Sequence, residues 1–227
     1  MKRLYNALQL KKALTLKALG INYIEPIPKF KEPEIELPNN LEELKKITQN
    51  CYLCELSKSR KNVVFGEGNK NANLMFVGEG PGATEDNTGR PFVGRAGELL
   101  TKMIQNVLLI PRSEVYIANI VKCRPPNNRV PTAKEALTCK PYLEKQIEII
   151  KPKLIITLGA TAYNYLTNDN TPISKARGHI FDMQDYKVLP TFHPSYLLRN
   201  PSAKKEAYAD MLKVKEFLEN LKKQTSN

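Results

Sequence analysis

Residues 73–86 read Asn73-Leu74-Met75-Phe76-Val77-Gly78-Glu79-Gly80-Pro81-Gly82-Ala83-Thr84-Glu85-Asp86, and the fold is decided at the break after Val77. A short apolar run ending abruptly in turn residues reads as a buried strand, here Asn73 to Val77. Gly78, Gly80 and Gly82 then let the backbone turn sharply and present N–H groups with no side chain in the way. A dinucleotide turn is not indicated, because the G-x-G-x-x-G spacing is absent and two acids would face a pyrophosphate.

The same pattern recurs downstream. Val115 to Val121, Leu154 to Leu158 and Lys187 to Phe192 are short, apolar and rich in β-branched residues. Between and after them, Arg95 to Val107, Thr132 to Ile150, Thr161 to Leu166 and Ala203 to Leu221 carry helical spacing. Strands alternating with helices predict an α/β fold, a three-layer αβα domain around a mostly parallel four-stranded sheet. Such sheets bind ligands outside the carboxyl ends of their strands.

Upstream, residues 2–24 are basic, with Lys2, Arg3, Lys11, Lys12 and Lys17 and no acid before Glu25, and Leu4, Leu8 and Leu14 recur at roughly helical spacing. Pro26, Pro28, Pro33 and Pro38 then disrupt regular structure, which predicts an extended linker. The expected organisation is a helix and linker over residues 1–40 and one α/β domain over 41–227.

The chain has 227 residues, with 35 Lys and Arg against 23 Asp and Glu, a formal charge of +12. That surplus suits a polyanionic partner, since cations neutralise phosphates and release counterions. A lysine-rich solvated surface is the other reading. The longest apolar runs fall far below the about 20 residues of a bilayer-spanning helix, and no signal-peptide core follows the N-terminus. A cytoplasmic chain without a membrane partner is expected.

Cys51 and Cys54 form a C-x-x-C pair, with Cys123 and Cys139 far downstream. Cytoplasmic thiols are kept reduced, so a disulfide framework is disfavoured. Four soft thiolates suit a four-cysteine zinc site or an iron–sulfur cluster, and the absence of a second close pair favours iron–sulfur over a zinc ribbon. Buried core thiols are the alternative.

Three polar clusters fall at predicted strand ends. The first is the Gly78 to Asp86 turn. The second is Asn119, whose carboxamide must find partners or lose about 1–3 kcal/mol, and whose donor and acceptor could read a base edge. The third is Thr191 to Arg199, where Pro194 is expected to keep His193 on a loop and Ser195 with Arg199 could hold a phosphate.

Together these residues resemble the type-four uracil-DNA glycosylases, which carry an iron–sulfur cluster. The resemblance lies in Cys51-x-x-Cys54, Phe65-Gly66-Glu67-Gly68, the Gly78 to Gly82 turn with Glu85-Asp86, and Gly89-Arg90-Pro91-Phe92-Val93-Gly94. It continues in Asn119, Lys122-Cys123-Arg124-Pro125-Pro126, Cys139 and His193-Pro194-Ser195. It spans about residues 45 to 200 and leaves the N-terminal helix outside.

The resemblance implies a monofunctional enzyme that flips uracil out of DNA, single- or double-stranded, and hydrolyses its N-glycosidic bond. It implies a 4Fe-4S cluster on Cys51, Cys54, Cys123 and Cys139, and a monomer. His193 would donate to uracil O2, Asn119 would pair with N3–H and O4, and Phe92 would stack on the base. Glu79, Gly80, Pro81 and Gly82 would line the base pocket. Ser195 and Arg199 would touch phosphate, and Leu197 or Leu198 would fill the vacated stack. The wider superfamily has an aspartate where this chain has Gly80, so water positioning falls to Glu79 or Glu85. A non-catalytic DNA-binding or redox-sensing iron–sulfur protein of the same fold is the competing reading, and it would need neither His193 nor Asn119.

Overall fold

The computed structural model describes residues 2–21 and 37–225. Contacts divide the chain into two compact units, Met1–Glu36 and Leu37–Asn227. The first holds α1 (Lys2–Ala18), which exposes Leu10 and Leu14. Of the predicted linker, Pro26, Pro28 and Pro33 lie outside the described residues.

The second unit is built in chain order. It opens with α2 (Leu41–Gln49), capped by the Asn40 side chain, which accepts from the Glu42 and Glu43 N–H groups. Then come β1 (Glu67–Gly68), β2 (Leu74–Gly78), α3 (Ala83–Thr88), α4 (Arg95–Met103) and β3 (Tyr116–Asn119). A capping box of Thr132 and Glu135 starts α5 (Ala133–Ile150). After it follow β4 (Leu154–Leu158), α6 (Ala160–Thr167), α7 (Ile173–Ala176), β5 (Phe181–Asp182), β6 (Lys187–Thr191), α8 (Pro194–Arg199) and α9 (Lys204–Thr225).

The sheet has six strands in the order β1-β3-β2-β4-β6-β5. The four expected strands are its parallel centre, and β1 and β5 are two-residue antiparallel edges too short to leave a period in the sequence. Each of β2, β3 and β4 is buried on both faces, as covered parallel sheets are. Met75, Val77, Ile155 and Val188 pack under α2, α5 and α6, while Phe76, Ile117, Ile156 and Leu189 face α4, α8 and α9. This is the three-layer αβα arrangement.

From β2 the order runs to β3 on one side and to β4 and β6 on the other. The chain therefore reverses direction across the sheet at β2, and a crevice opens at the carboxyl ends of the strands there. His193 lies outside any helix, as Pro194 predicts: it is the N-cap of α8, in extended conformation, and Pro194 is the first residue of that helix. A proline at the first helical position loses no hydrogen bond, and its fixed φ suits the turn.

Candidate active site

A cavity of about 510 Å³ lies at the carboxyl ends of β2, β3, β4 and β6. Of the expected residues, Glu79, Gly80, Pro81, Gly82, Glu85, Phe92, Asn119, His193, Ser195 and Arg199 line it together. Leu197 does not. It is 1% exposed in the core under α8, so its expected insertion into DNA is corrected. On a helix that packs one face on the sheet, residue 197 points inward, and Tyr196 and Arg199 take the outer face. Leu198 is half-buried and outside the cavity lining.

Asn119 ends β3 and is 1% exposed, and its Oδ1 has no hydrogen-bond partner. A buried carboxamide left open in this way marks a place where a ligand completes the bonding. Its crowding is tight: a Cβ added at Gly78 would lie 2.5 Å from Asn119 Oδ1 and 2.5 Å from Phe92 Cζ. Residue 78 is therefore held to glycine by the side chains of Asn119 and Phe92.

Phe92 sits at φ 51, in the left-handed region. For a bulky residue that conformation costs on the order of 1–3 kcal/mol and persists only where its surroundings enforce it. Two devices do so. Glu85 Oε1 accepts from the N–H groups of Val93 (2.9 Å) and Gly94 (2.8 Å), clamping the start of α4. Gly97 admits the Phe92 carbonyl, which would lie 1.9 Å from any added Cβ. The Phe92 ring ends 5.8 Å from that of His193.

His193 is oriented by its own cap. The Ser195 N–H donates to His193 Nδ1 at 3.1 Å, and Ser195 Oγ lies 2.7 Å from the same nitrogen. Nδ1 is thus an acceptor, and the ring proton of the neutral form belongs on Nε2. Burial, helped by Arg199, pulls the His193 pKa down to about 4, so the ring is neutral at physiological pH. Ser195 therefore acts on the histidine, a partner the sequence does not reveal. Behind it, Asp210 of α9 accepts from Thr191 Oγ1 (2.6 Å) and Arg177 Nε (3.0 Å), pinning the end of β6.

The two candidate carboxylates differ. Oε1 of Glu85 is committed to backbone, whereas the Glu79 side chain lines the cavity with no hydrogen bond or ion pair among the described residues. Gly80 offers no substitute, since a Cβ there would lie 2.7 Å from Val121 Cγ2. Sequence reasoning missed the walls from Arg129, Val130, Gly159 and Tyr196. Gly159, at φ 89 directly after β4, had the signal of a glycine at a strand's carboxyl end.

Cys51, Cys54, Cys123 and Cys139 line one small cavity with Arg60, Lys122 and Tyr142. All four are free thiols. Arg60 donates to Cys123 Sγ at 3.4 Å and to the Cys51 carbonyl at 2.7 Å, and the Lys122 N–H donates to Cys139 Sγ at 3.3 Å. Burial pushes the Cys139 thiol up to about 12. Among the described residues no three His, Cys, Asp or Glu are grouped to hold one metal ion. Four cysteines around one cavity nevertheless suit a four-thiolate group, zinc or iron–sulfur. A four-iron cluster gives each cysteine its own iron, and N–H donors at the sulfurs are characteristic of such sites. The residues fit a cluster.

The fold and this pocket define a class, and comparison with known proteins agrees. Residues 65–216 match the Uracil DNA glycosylase superfamily. Type-4 uracil-DNA glycosylases of Thermotoga maritima and Saccharolobus solfataricus are 51% identical over 174 residues and 47% identical over 188. These alignments cover 75% and 79% of this chain and 90% and 87% of the relatives. That of Archaeoglobus fulgidus is 40% identical over 186 residues, 78% of this chain and 93% of its own. The chain belongs to the type-4 uracil-DNA glycosylase family.

Proposed function

We propose that the chain excises uracil from DNA, flipping the base into the cavity and hydrolysing its N-glycosidic bond to leave an abasic site. Flipping is required because the bond is out of reach inside the stack. The observation that carries the reading is Asn119: a buried carboxamide whose Oδ1 has no protein partner, beside Phe92 and lining one cavity with a neutral histidine.

Asn119 pairs with uracil N3–H and O4. Cytosine would oppose donor to donor, leaving buried groups unpaired, which is how a site rejects a near isostere. Phe92 stacks on the ring. As the glycosidic bond stretches, negative charge grows on the base, and His193 Nε2–H donates to it at O2. A neutral donor suffices because the charge it meets develops only in the transition state. Glu79, with its carboxylate open to the cavity, orients the attacking water, while Glu85 holds the Phe92 turn. Arg199 and Tyr196, exposed on α8, meet the flanking DNA backbone and the vacated stack.

Cys51, Cys54, Cys123 and Cys139 hold a 4Fe-4S cluster whose part is structural, tying the residue 51–54 loop to the segment after β3 and to α5. Residues 41–227 form the catalytic domain, and residues 1–40 a basic appendage. The substrate is uracil-containing DNA, single- or double-stranded, and the enzyme acts as a monomer in the cytoplasm. No helix among the described residues is long and apolar enough to cross a membrane.

The test is release of free uracil from a single-stranded uracil-containing oligonucleotide by the metal-loaded protein. Release by wild type and its loss in Asn119→Ala are expected. A folded, loaded protein that binds this DNA without releasing base would replace the enzyme with a DNA-binding module.

A further inference from the structure

Lys122 stands between the pocket and the cysteines. Its setting in the sequence, beside Cys123 and Arg124 in a basic chain, suggests a surface cation, yet it is 1% exposed. Lysine is among the residues least often fully buried, and an ammonium removed from water needs partners. Lys122 Nζ donates to the main-chain carbonyl of Asn119 at 2.9 Å and to Gln146 Oε1 at 2.6 Å.

Both partners lead onward. Gln146, on α5 and 0% exposed, donates from Nε2 to the Phe65 carbonyl (2.9 Å) and the Tyr116 hydroxyl (3.1 Å). The Lys122 backbone N–H donates to Cys139 Sγ, also on α5, and its carbonyl accepts from the Val64 N–H at 2.8 Å. The pairing continues past β3 through Ile120 N–H to the Gly78 carbonyl (2.9 Å) and Val121 N–H to the Glu79 carbonyl (3.1 Å). The Asn119 carbonyl instead accepts from Lys122 Nζ.

The Asn119 carboxamide has no protein partner of its own for Oδ1, so the direction it points depends on its backbone and on packing against Gly78 and Phe92. A swivel of its peptide plane would turn the Cα–Cβ bond and misalign a two-point contact. We propose that Lys122 is a positioning residue: it fixes the peptide plane of Asn119 and ties the base-reading amide to α5, the helix that carries Cys139. The inference rests on the uracil reading of the pocket.

The experiment compares wild type, Lys122→Met and Gln146→Leu as metal-loaded proteins, by visible absorbance of the cluster, affinity for abasic-site DNA and inhibition by free uracil. Lys122→Met is expected to keep the chromophore and to hold abasic-DNA affinity within about twofold, while uracil inhibition weakens about tenfold. Gln146→Leu, which removes one of the two acceptors of Nζ, should weaken it about threefold. Unchanged uracil inhibition in Lys122→Met, or parallel loss of uracil and DNA affinity as in general destabilisation, overturns the proposal. If Lys122→Met does not fold, unchanged inhibition in Gln146→Leu overturns it. Wild type that excises uracil-containing substrate yet ignores free uracil also overturns it; wild type that does neither fails the uracil reading itself.

Discussion

The base pocket and the cysteine cavity lie at opposite ends of one five-residue segment, Asn119 to Cys123, and they treat buried polar atoms in opposite ways. In the pocket, Asn119 Oδ1 lacks a partner and the Glu79 carboxylate has none among the described residues. In the cysteine cavity, Arg60 and the Lys122 N–H already donate to sulfur. A site for a passing ligand leaves its bonding capacity open and accepts the desolvation cost until the ligand arrives. A site for a permanent resident brings its supporting donors with it.

The contrast predicts separable failures. The largest is expected for His193→Ala, which removes the proposed donor to the developing charge: single-turnover uracil release should fall by about 10²–10³ while the iron–sulfur absorbance stays. Loss of that absorbance in the same variant would break the separation. Cys139→Ser should do the reverse first, losing the chromophore and lowering the melting temperature by more than about 5 °C, as loss of a few kcal/mol does in a domain of this size. Calorimetry of the loaded and variant proteins checks it.

A third variant acts by shape alone. Gly97→Ala puts a methyl against the Phe92 carbonyl, 1.9 Å away in the present backbone, so Phe92, the proposed stacking residue, must move. About 1–3 kcal/mol of stability and most of the excision rate should go, with the cluster intact. The smallest effect belongs to Ser195→Ala. Its backbone N–H still holds Nδ1, so the rate should fall less than about tenfold.

The pH profile sharpens the histidine reading. His193 is held down to about 4, below its ordinary value, so the unfolded chain takes up this proton first on acidification. The stability contributed by the neutral ring is present above about 6.5 and is lost as pH falls toward about 4. Excision should stay level from about pH 7 to about 5 and fall through the His193 value below that. A rate that rises on acidification from about 6 to about 5 would mean a cationic histidine.

Much of the frame was legible from residue order. Four buried strands show as apolar runs because both faces of a parallel sheet are covered, and turn residues mark their carboxyl ends. Asn119 and His193 stood out as polar groups at those ends, and the four cysteines by residue type. The edge strands β1 and β5 were not legible, being two residues long. Leu197 reads like Leu198 in the sequence, and only the packing of α8 buries the one and leaves the other half-exposed. The proline after His193 is ambiguous by itself, since the same residue ends one helix and begins another.

What the sequence alone determined is therefore the layer order and the chemical inventory, because hydrophobic period and residue type are local properties. Tertiary structure decided which groups remain open and which are spent. It turned Ser195 toward His193, committed Glu85 to the N–H groups of Val93 and Gly94 just before α4, and forced Phe92 into a left-handed conformation. It also buried Lys122 under Asn119. The hydrogen-bond partners behind these outcomes lie 2 to 24 positions apart along the chain, closest for Ser195 with His193 and farthest for Gln146 with Lys122, and only folding holds them within bonding distance.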